Sequence, residues 1–250
     1  MQDGEAYTAT FDIKNPTLYF MVRNKEDSEL FEVVEKHLFT AVIGDIMDKM
    51  GFFHQFLPPR IQPLDKRMKV VGRAMPVLEA DAYQDLSPNN DNYIMSKPFG
   101  LMLEALDDLR AGEVYICTGA SPTYALWGEL MSARAMQLKA RGAVVNGYSR
   151  DSQGILELNF PTFSFGRYAQ DQAPRGKVID FRVPIEIGGV HINPGDLVVG
   201  DDEGVCIVPR SIEKEVIAKA YEKATAEKTV KKAIENGMSA SDAFDKYGIM

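Results

Sequence analysis

Trp127 to Asp151 reads WGELMSARAMQLKARGAVVNGYSRD, and its alternation of elements decides how the rest of the chain is read. Ala133, Met136 and Ala140 fall at helical spacing, and Gly142 stands where a helix stops. Ala143-Val144-Val145 is a short apolar run closed by Asn146-Gly147, as expected of a buried strand. On this reading Glu129 opens the helix and Arg150-Asp151 closes the strand that follows. A helix and the strand returning beside it run antiparallel, so Glu129, Arg150 and Asp151 are expected to meet in one pocket. Gly128, lacking a side chain, allows close backbone approach there.

Two carboxylates and a guanidinium suit a divalent cation together with an anionic substrate. Carboxylate oxygens match hard cations such as Mg²⁺, which keeps several waters and takes one or two protein carboxylates. The planar fork of Arg150 matches a substrate carboxylate. The N–H groups at a helix start add anion affinity. The plainer reading of the same residues is a solvated Arg-Asp pair and a helix-capping glutamate.

The 250 residues are enough for a sizeable core, and 45% hydrophobic with 26% charged residues is ordinary for a globular protein. A net charge of −8 argues against nucleic acid as the main partner. Cys117 and Cys206 lie inside apolar runs and read as buried thiols, and His37, His54 and His191 are scattered without zinc-type spacing. No apolar stretch approaches the roughly 20 residues of a membrane span. Nothing in the opening MQDGEAYTAT resembles an export signal, so the expected compartment is the cytoplasm.

Outward from the central stretch, residues 1–27 read as an arm, with an aromatic run Leu18 to Val22, and residues 237–250 as a tail. One domain is expected between them, over 28–236. Ser28 to Leu38 places Leu30, Phe31, Val34 and Leu38 on one helical face, and Thr40 is the expected N-cap of a second helix ended by Gly51. Asp45 on that helix is read as a solvated charge with a lesser claim on the site. Lys69 to Leu78 reads as a strand carrying Arg73, either an anion binder or half of an ion pair at a sheet edge. Residues 81–97 read as a loop, Leu101 to Arg110 as a helix and Glu113 to Thr118 as a buried strand. Pro161 to Tyr168 is strand-like, with Arg167 and Tyr168 as possible site neighbours. Residues 177–209 are almost wholly β-like, with turns at Gly188-Gly189 and Asn193 to Asp196. Asp201-Asp202-Glu203 is read as an acidic turn rather than a metal cluster. Ser211 is expected to cap a long helix to about Asn236, stopped by Gly237.

The central stretch resembles the signature of the RraA-like family, which includes the class II 4-hydroxy-4-methyl-2-oxoglutarate / 4-carboxy-4-hydroxy-2-oxoadipate aldolases. The shared pattern is a glycine and an acid (Gly128, Glu129), twenty residues, then Arg150-Asp151. VGRA at 71–74 and GGVHINPGDLVVGDDEGVCIVP at 188–209 extend the resemblance. Two positions depart from it: Glu129 stands where the characterised aldolases carry Asp, and Asn146 where Asp is frequent. The resemblance implies an α/β fold with a swivelling β/β/α core, flanking helices and a long C-terminal helix, assembled as a trimer or hexamer with its site at the subunit boundary. It implies a lyase that cleaves a 4-hydroxy-2-oxo acid to pyruvate and a second carbonyl compound, using Mg²⁺ or Mn²⁺, with oxaloacetate decarboxylation as a second activity. Asp151 would hold the metal and Glu129 orient waters around it. Arg150 would bind the 2-oxo oxygen, and backbone N–H groups of Leu126, Trp127 and Gly128 the substrate carboxylate. Glu227, on the C-terminal helix of a neighbouring subunit, would position a water. The resemblance leaves two alternatives: a related lyase or hydratase on another keto or sugar acid, and a non-catalytic regulatory binding protein of the kind that inhibits ribonuclease E.

Overall fold

The strand β2 (Val70–Asp81) is the hub of the molecule. Its sequence, VVGRAMPVLEAD, is apolar on both faces and is buried along nearly its whole length, as a strand covered on both sides must be. It pairs in parallel with β3 (Glu113–Thr118) and antiparallel with β11 (Leu197–Asp201) and β8 (Gly176–Phe181). β11 covers Val70 to Arg73 and β8 covers Val77 to Asp81. Pro76, with no N–H to donate, falls in the interval between these two partners. The computed structural model describes residues 27–82 and 92–248, so all but the last residue of the expected arm at 1–27 and most of the expected loop at 81–97 lie outside the described residues.

The large sheet runs β1 (Gln62–Pro63), β7 (Thr162–Ser164), β5 (Gly142–Val145), β3, β2, β11, β12 (Gly204–Val208). It curls until its ends approach. Phe56 bridges to Cys206 on β12 just before the chain enters β1, and Leu57 N–H donates to the Val205 carbonyl at 2.9 Å. The result is a nearly closed, barrel-like sheet. Alternate residues of each strand serve different cores: Val114, Ile116 and Val144 point inward with Ile61, Phe163 and Ile207. Tyr115, Cys117, Ala143 and Val145 point outward, beneath helices. The hairpin of β9 (Ile185–Ile187) and β10 (Val190–Ile192) adds its own isoleucines to the inner core and turns at Gly188-Gly189, both at positive φ.

Two helical groups cover the sheet. On one side α1 (Asp27–His37), α2 (Thr40–Lys49) and the long α6 (Glu213–Glu235) bury Leu30, Phe31, Val34, Ile43, Val216 and Ile217. Thr40 is the first helical residue rather than the cap. The cap is supplied from afar by Asp201, whose carboxylate accepts from Thr40 N–H and Thr40 Oγ1, each at 2.8 Å. The acidic turn expected at 201–203 therefore has a further role: it fixes a helix start. Ser211 does not cap α6; Ile212 occupies that position without a side-chain bond. Arg73 makes the expected ion pair, but in the sheet interior, gripping Glu213 and Asp27 from a buried position. Asp45 pairs with Lys223 across the α2–α6 seam and takes no part in the pocket.

The second group, α3 (Met102–Asp107), α4 (Glu129–Gln137) and α5 (Ser152–Leu158), covers the other side, and a last helix, α7 (Ala240–Tyr247), occupies the stretch read as a tail. No described helix is long and apolar enough to cross a membrane.

Candidate active site

Four local departures from the sequence reading build the site. The helix α4 ends at Gln137, not at Gly142, and Lys139 takes the left-handed turn at φ 61°. Gly142 instead begins β5, where a side chain would meet the Pro161 carbonyl oxygen at 2.8 Å. The stripe Ala133-Met136 faces outward, while Ser132 and Ala135 are the buried positions of α4. Finally, the central strand does not run on to Arg150. It stops at Val145, bends at Asn146-Gly147, and resumes as β6 (Tyr148–Ser149) in a separate two-stranded sheet with β4 (Ala125–Trp127).

That small parallel pair, more than the antiparallel return of a strand, joins the two halves of the motif. Arg150 N–H donates to the Trp127 carbonyl at 2.8 Å, setting Gly128-Glu129 beside Arg150-Asp151. Trp127 is the anchor: it is buried, lies nearly parallel to Phe160 at 6.0 Å, and donates its indole N–H to Ser132 Oγ at 2.7 Å. Ser132 Oγ in turn donates to the Gly128 carbonyl at 3.0 Å, tying the turn to the first turn of α4.

A Cβ on Gly128 would sit 3.0 Å from Asp151 Oδ2 and 3.4 Å from Arg150 Cγ, so the bare backbone is what lets the two segments touch. Asp151 itself is left-handed at φ 51°, a conformation Asp tolerates better than most residues, and it turns the chain directly into α5. Arg150 is held from two directions. Its Nη1 donates to Asp171 Oδ1 at 2.7 Å, and its Nε lies 3.4 Å from Asp151 Oδ2. Glu129 opens α4 and its carboxylate lies over Gly154 of α5, where any side chain would collide with it.

Asp151 stands between two recesses. On one side is a polar hollow shared with Glu129, Ser152 and Glu157. On the other is a cavity of ≈ 510 Å³ whose polar end is Arg150, Asp151, Asp171 and Gln172, continuing past Leu126, Trp127 and Gly128. Among the sequence-derived candidates, the structure thus gathers Leu126, Trp127, Gly128, Glu129, Arg150 and Asp151. Arg167 and Tyr168 stay beside Ser149 and do not line the cavity. Glu227 lies on α6, which packs against α2, and pairs there with Lys223 at 3.2 Å.

The donor set fits a hard divalent cation. Two carboxylates, Asp151 and Glu129, flank one hollow, and Ser152 Oγ beside them is buried with no protein partner. Among the described residues no three His, Cys, Asp or Glu side chains converge. A pair of carboxylates is the complement Mg²⁺ uses when waters complete its shell.

Two residues escaped the sequence reading. Asp171 comes from the loop after β7 and reaches Arg150 only through the fold; no spacing in the sequence marks it. Because Arg150 and Asp171 are each more than a third exposed, their pair is worth at most about 1 kcal/mol. Asp171→Ala is therefore expected to lower kcat/KM by no more than about fivefold, with the protein still folded. Abolished turnover would give Asp171 a direct part in the chemistry.

Glu79 is the second. A lone acid in an apolar strand was its only signal. It is 2% exposed and accepts from Gln172 Nε2 at 2.5 Å, behind the cavity wall. Burial, reinforced by repulsion from Asp81, pushes its carboxyl up to about 8 from an ordinary 4.5. A folded-state value above the unfolded one means the native protein holds the proton longer. Stability from this group is present below pH 4.5 and lost as pH rises through about 8. The slope across that window is on the order of 1 kcal/mol per pH unit. Glu79→Gln is expected to flatten the fall and to raise the Tm above the parent's at pH 8. An equal fall in both proteins would show that Glu79 ionises freely in the fold.

Comparisons with known proteins place the sequence and the fold in one family. Residues 40–207 match the RraA-like family model, described as Aldolase/RraA. A putative 4-hydroxy-4-methyl-2-oxoglutarate aldolase of Halalkalibacterium halodurans is 31% identical over 82% of this chain and 89% of its own length. Protein DlpA of Legionella pneumophila is 29% identical over 83% of the chain, but the chain spans only 32% of that longer protein. In fold, the chain is similar to Streptomyces coelicolor RraAS2, an unusual member of the RNase ES inhibitor RraA protein family, with TM-score 0.72 at 23% identity over 84% of this chain and all of that one. The family match covers well over half of the sequence and includes the whole Gly128-to-Asp151 motif, so the chain belongs to the RraA-like family.

Proposed function

We propose that the protein is a divalent-metal-dependent carbon–carbon lyase that cleaves a 4-hydroxy-2-oxo acid to pyruvate and a second carbonyl compound. The observation that carries this reading is the meeting of Arg150 and Asp151 against the bare backbone of Gly128 at the polar end of a substrate-sized cavity. Asp151 and Glu129 are the residues that would hold Mg²⁺ or Mn²⁺, and the ion would supply Lewis-acid stabilisation of the charge developing on the 2-oxo oxygen.

The chain's own groups do the rest. The proposed seat of the substrate carboxylate is the backbone from Leu126 to Gly128, which lines the cavity and leads into α4, where the N–H groups of the first helical turn have no partner within the helix. Arg150 donates to the 2-oxo oxygen and stabilises it as the C3–C4 electrons move toward it. Asp171 keeps that guanidinium from swinging into solvent. Glu129 orients a water that takes the proton of the C4 hydroxyl. Glu227 of an adjacent copy, in a trimer or hexamer, positions the water that returns a proton to C3. Oxaloacetate loses carbon dioxide through the same enolate and is an expected second substrate.

The test is pyruvate release by the purified protein with Mg²⁺ from a panel of 4-hydroxy-2-oxo acids that includes 4-hydroxy-4-methyl-2-oxoglutarate and acids with an unbranched chain beyond C4. The expected result is turnover that EDTA stops and Mg²⁺ or Mn²⁺ restores. Turnover undiminished by EDTA would remove the metal from the reading. A non-catalytic role, inhibition of a ribonuclease as in the protein family of Streptomyces coelicolor RraAS2, needs a partner surface and no anion pocket; the Arg150–Asp151 pocket favours the lyase.

A further inference from the structure

The cavity that ends at Arg150 and Asp151 is much larger than a pyruvyl group needs, and its remaining wall is aliphatic and aromatic. Leu103 and Leu106 of α3, Leu126 and Trp127 of β4, and Leu130 and Met131 of α4 form it. Leu130 is 83% and Leu103 55% exposed at its mouth. Among the described lining residues the only cations are Arg134 and Arg150, and both are engaged. Arg134 Nε donates to Asp107 at 2.7 Å, and its guanidinium also meets Gln137. Arg150 is held by Asp171 and Asp151.

The geometry points to a substrate whose chain beyond C4 is apolar, and not a second carboxylate; this rests on the lyase reading above. A distal carboxylate placed along the wall would lose part of its water, find no free cation among the described lining residues, and face the carboxylate of Asp107. A methyl or methylene chain would cover Leu103 and Leu130, and each buried methylene is worth about fourfold in binding. The reaction balances without a co-reactant. The C4 hydroxyl loses its proton, the C3–C4 bond breaks, its electron pair enters the enolate, and C3 regains a proton, leaving pyruvate and an aliphatic aldehyde.

The experiment compares two substrates of equal length: 4-hydroxy-2-oxoheptanoate, the pyruvate adduct of butanal, and 4-hydroxy-2-oxoheptanedioate, the adduct of succinic semialdehyde. Pyruvate release with Mg²⁺ is measured beside calorimetric binding of the unreactive 2-oxoheptanoate and 2-oxoheptanedioate. The expected result is a preference of roughly tenfold or more for the monoacid in both kcat/KM and Kd, from one buried methyl group and one avoided carboxylate desolvation. Leu130→Arg, at an exposed helix position, is expected to bring the two acids to within about threefold by offering a cation to the diacid. Equal or tighter handling of the diacid by the parent protein overturns the proposal. Tighter binding of 2-oxoheptanoate without pyruvate release from either adduct upholds the ligand class and rejects the lyase reading instead. A Leu130→Arg protein that changes its oligomeric state while keeping the parent's selectivity assigns this wall to contact between copies, and overturns the proposal as well.

Discussion

Arg150→Ala is expected to lower kcat by about 100- to 1000-fold, the loss seen when a preorganised charge stabiliser is removed from a reaction that builds negative charge on oxygen. Its neighbours make the variant informative. The fold-bearing bond at this position is from the backbone, Arg150 N–H to the Trp127 carbonyl, and alanine keeps it. The lost side-chain bonds, to Asp171 and Asp151, join groups that are all partly exposed, so stability falls by no more than about 1 kcal/mol. Unfolding temperature should therefore stay near the parent's while turnover collapses. Turnover within a few-fold of the parent's would take the guanidinium out of the mechanism. Asp171→Ala cuts the same ion pair but keeps the guanidinium proposed to meet the substrate, so the two variants should differ widely in rate.

Asp151→Asn is the second large effect. Asn accepts the left-handed backbone at φ 51° as readily as Asp, and it fits the gap above Gly128, so the turn into α5 survives. Only the charge is lost. If Asp151 is the carboxylate that seats the cation, the Mg²⁺ concentration for half-maximal turnover rises at least roughly tenfold, and the rate at ordinary Mg²⁺ falls on the order of 100-fold, since an amide is a poor replacement for a carboxylate at a hard cation. The measurement is rate against Mg²⁺ at fixed substrate. An unchanged Mg²⁺ dependence would transfer the cation to Glu129 and its hollow. Glu129→Gln, read the same way, separates the two carboxylates, because Glu129 touches the site from the far side of Asp151.

Much of this site is legible along the chain because its parts are local. Gly128 and Glu129 open one helix, Arg150 and Asp151 open the next, and the pairing of the short strands just before them, β4 with β6, sets the two pairs side by side. Local chemistry also marks the β-rich run at 177–209, whose turns need glycine at positive φ. Where periodicity misleads, the cause is packing: Met136 continues an apolar stripe that the fold turns outward, because Ser132 takes the buried place in order to receive the Trp127 indole. Gly142 looks like a helix stop but is glycine because β5 is squeezed against Pro161.

What the sequence by itself determined is the family, the α/β class and two of the residues at the polar end of the cavity, Arg150 and Asp151, since these depend on short-range patterns of residue type. Tertiary structure alone decided the rest. Asp201 caps a helix begun 161 residues earlier, Asp171 braces Arg150, and Glu79 holds its proton behind Gln172. The apolar wall of the cavity likewise gathers side chains from α3, β4 and α4. The physical reason is the same in each case: the energy of a charge or an apolar surface depends on what the fold places beside it, and chain spacing does not carry that information across a barrel.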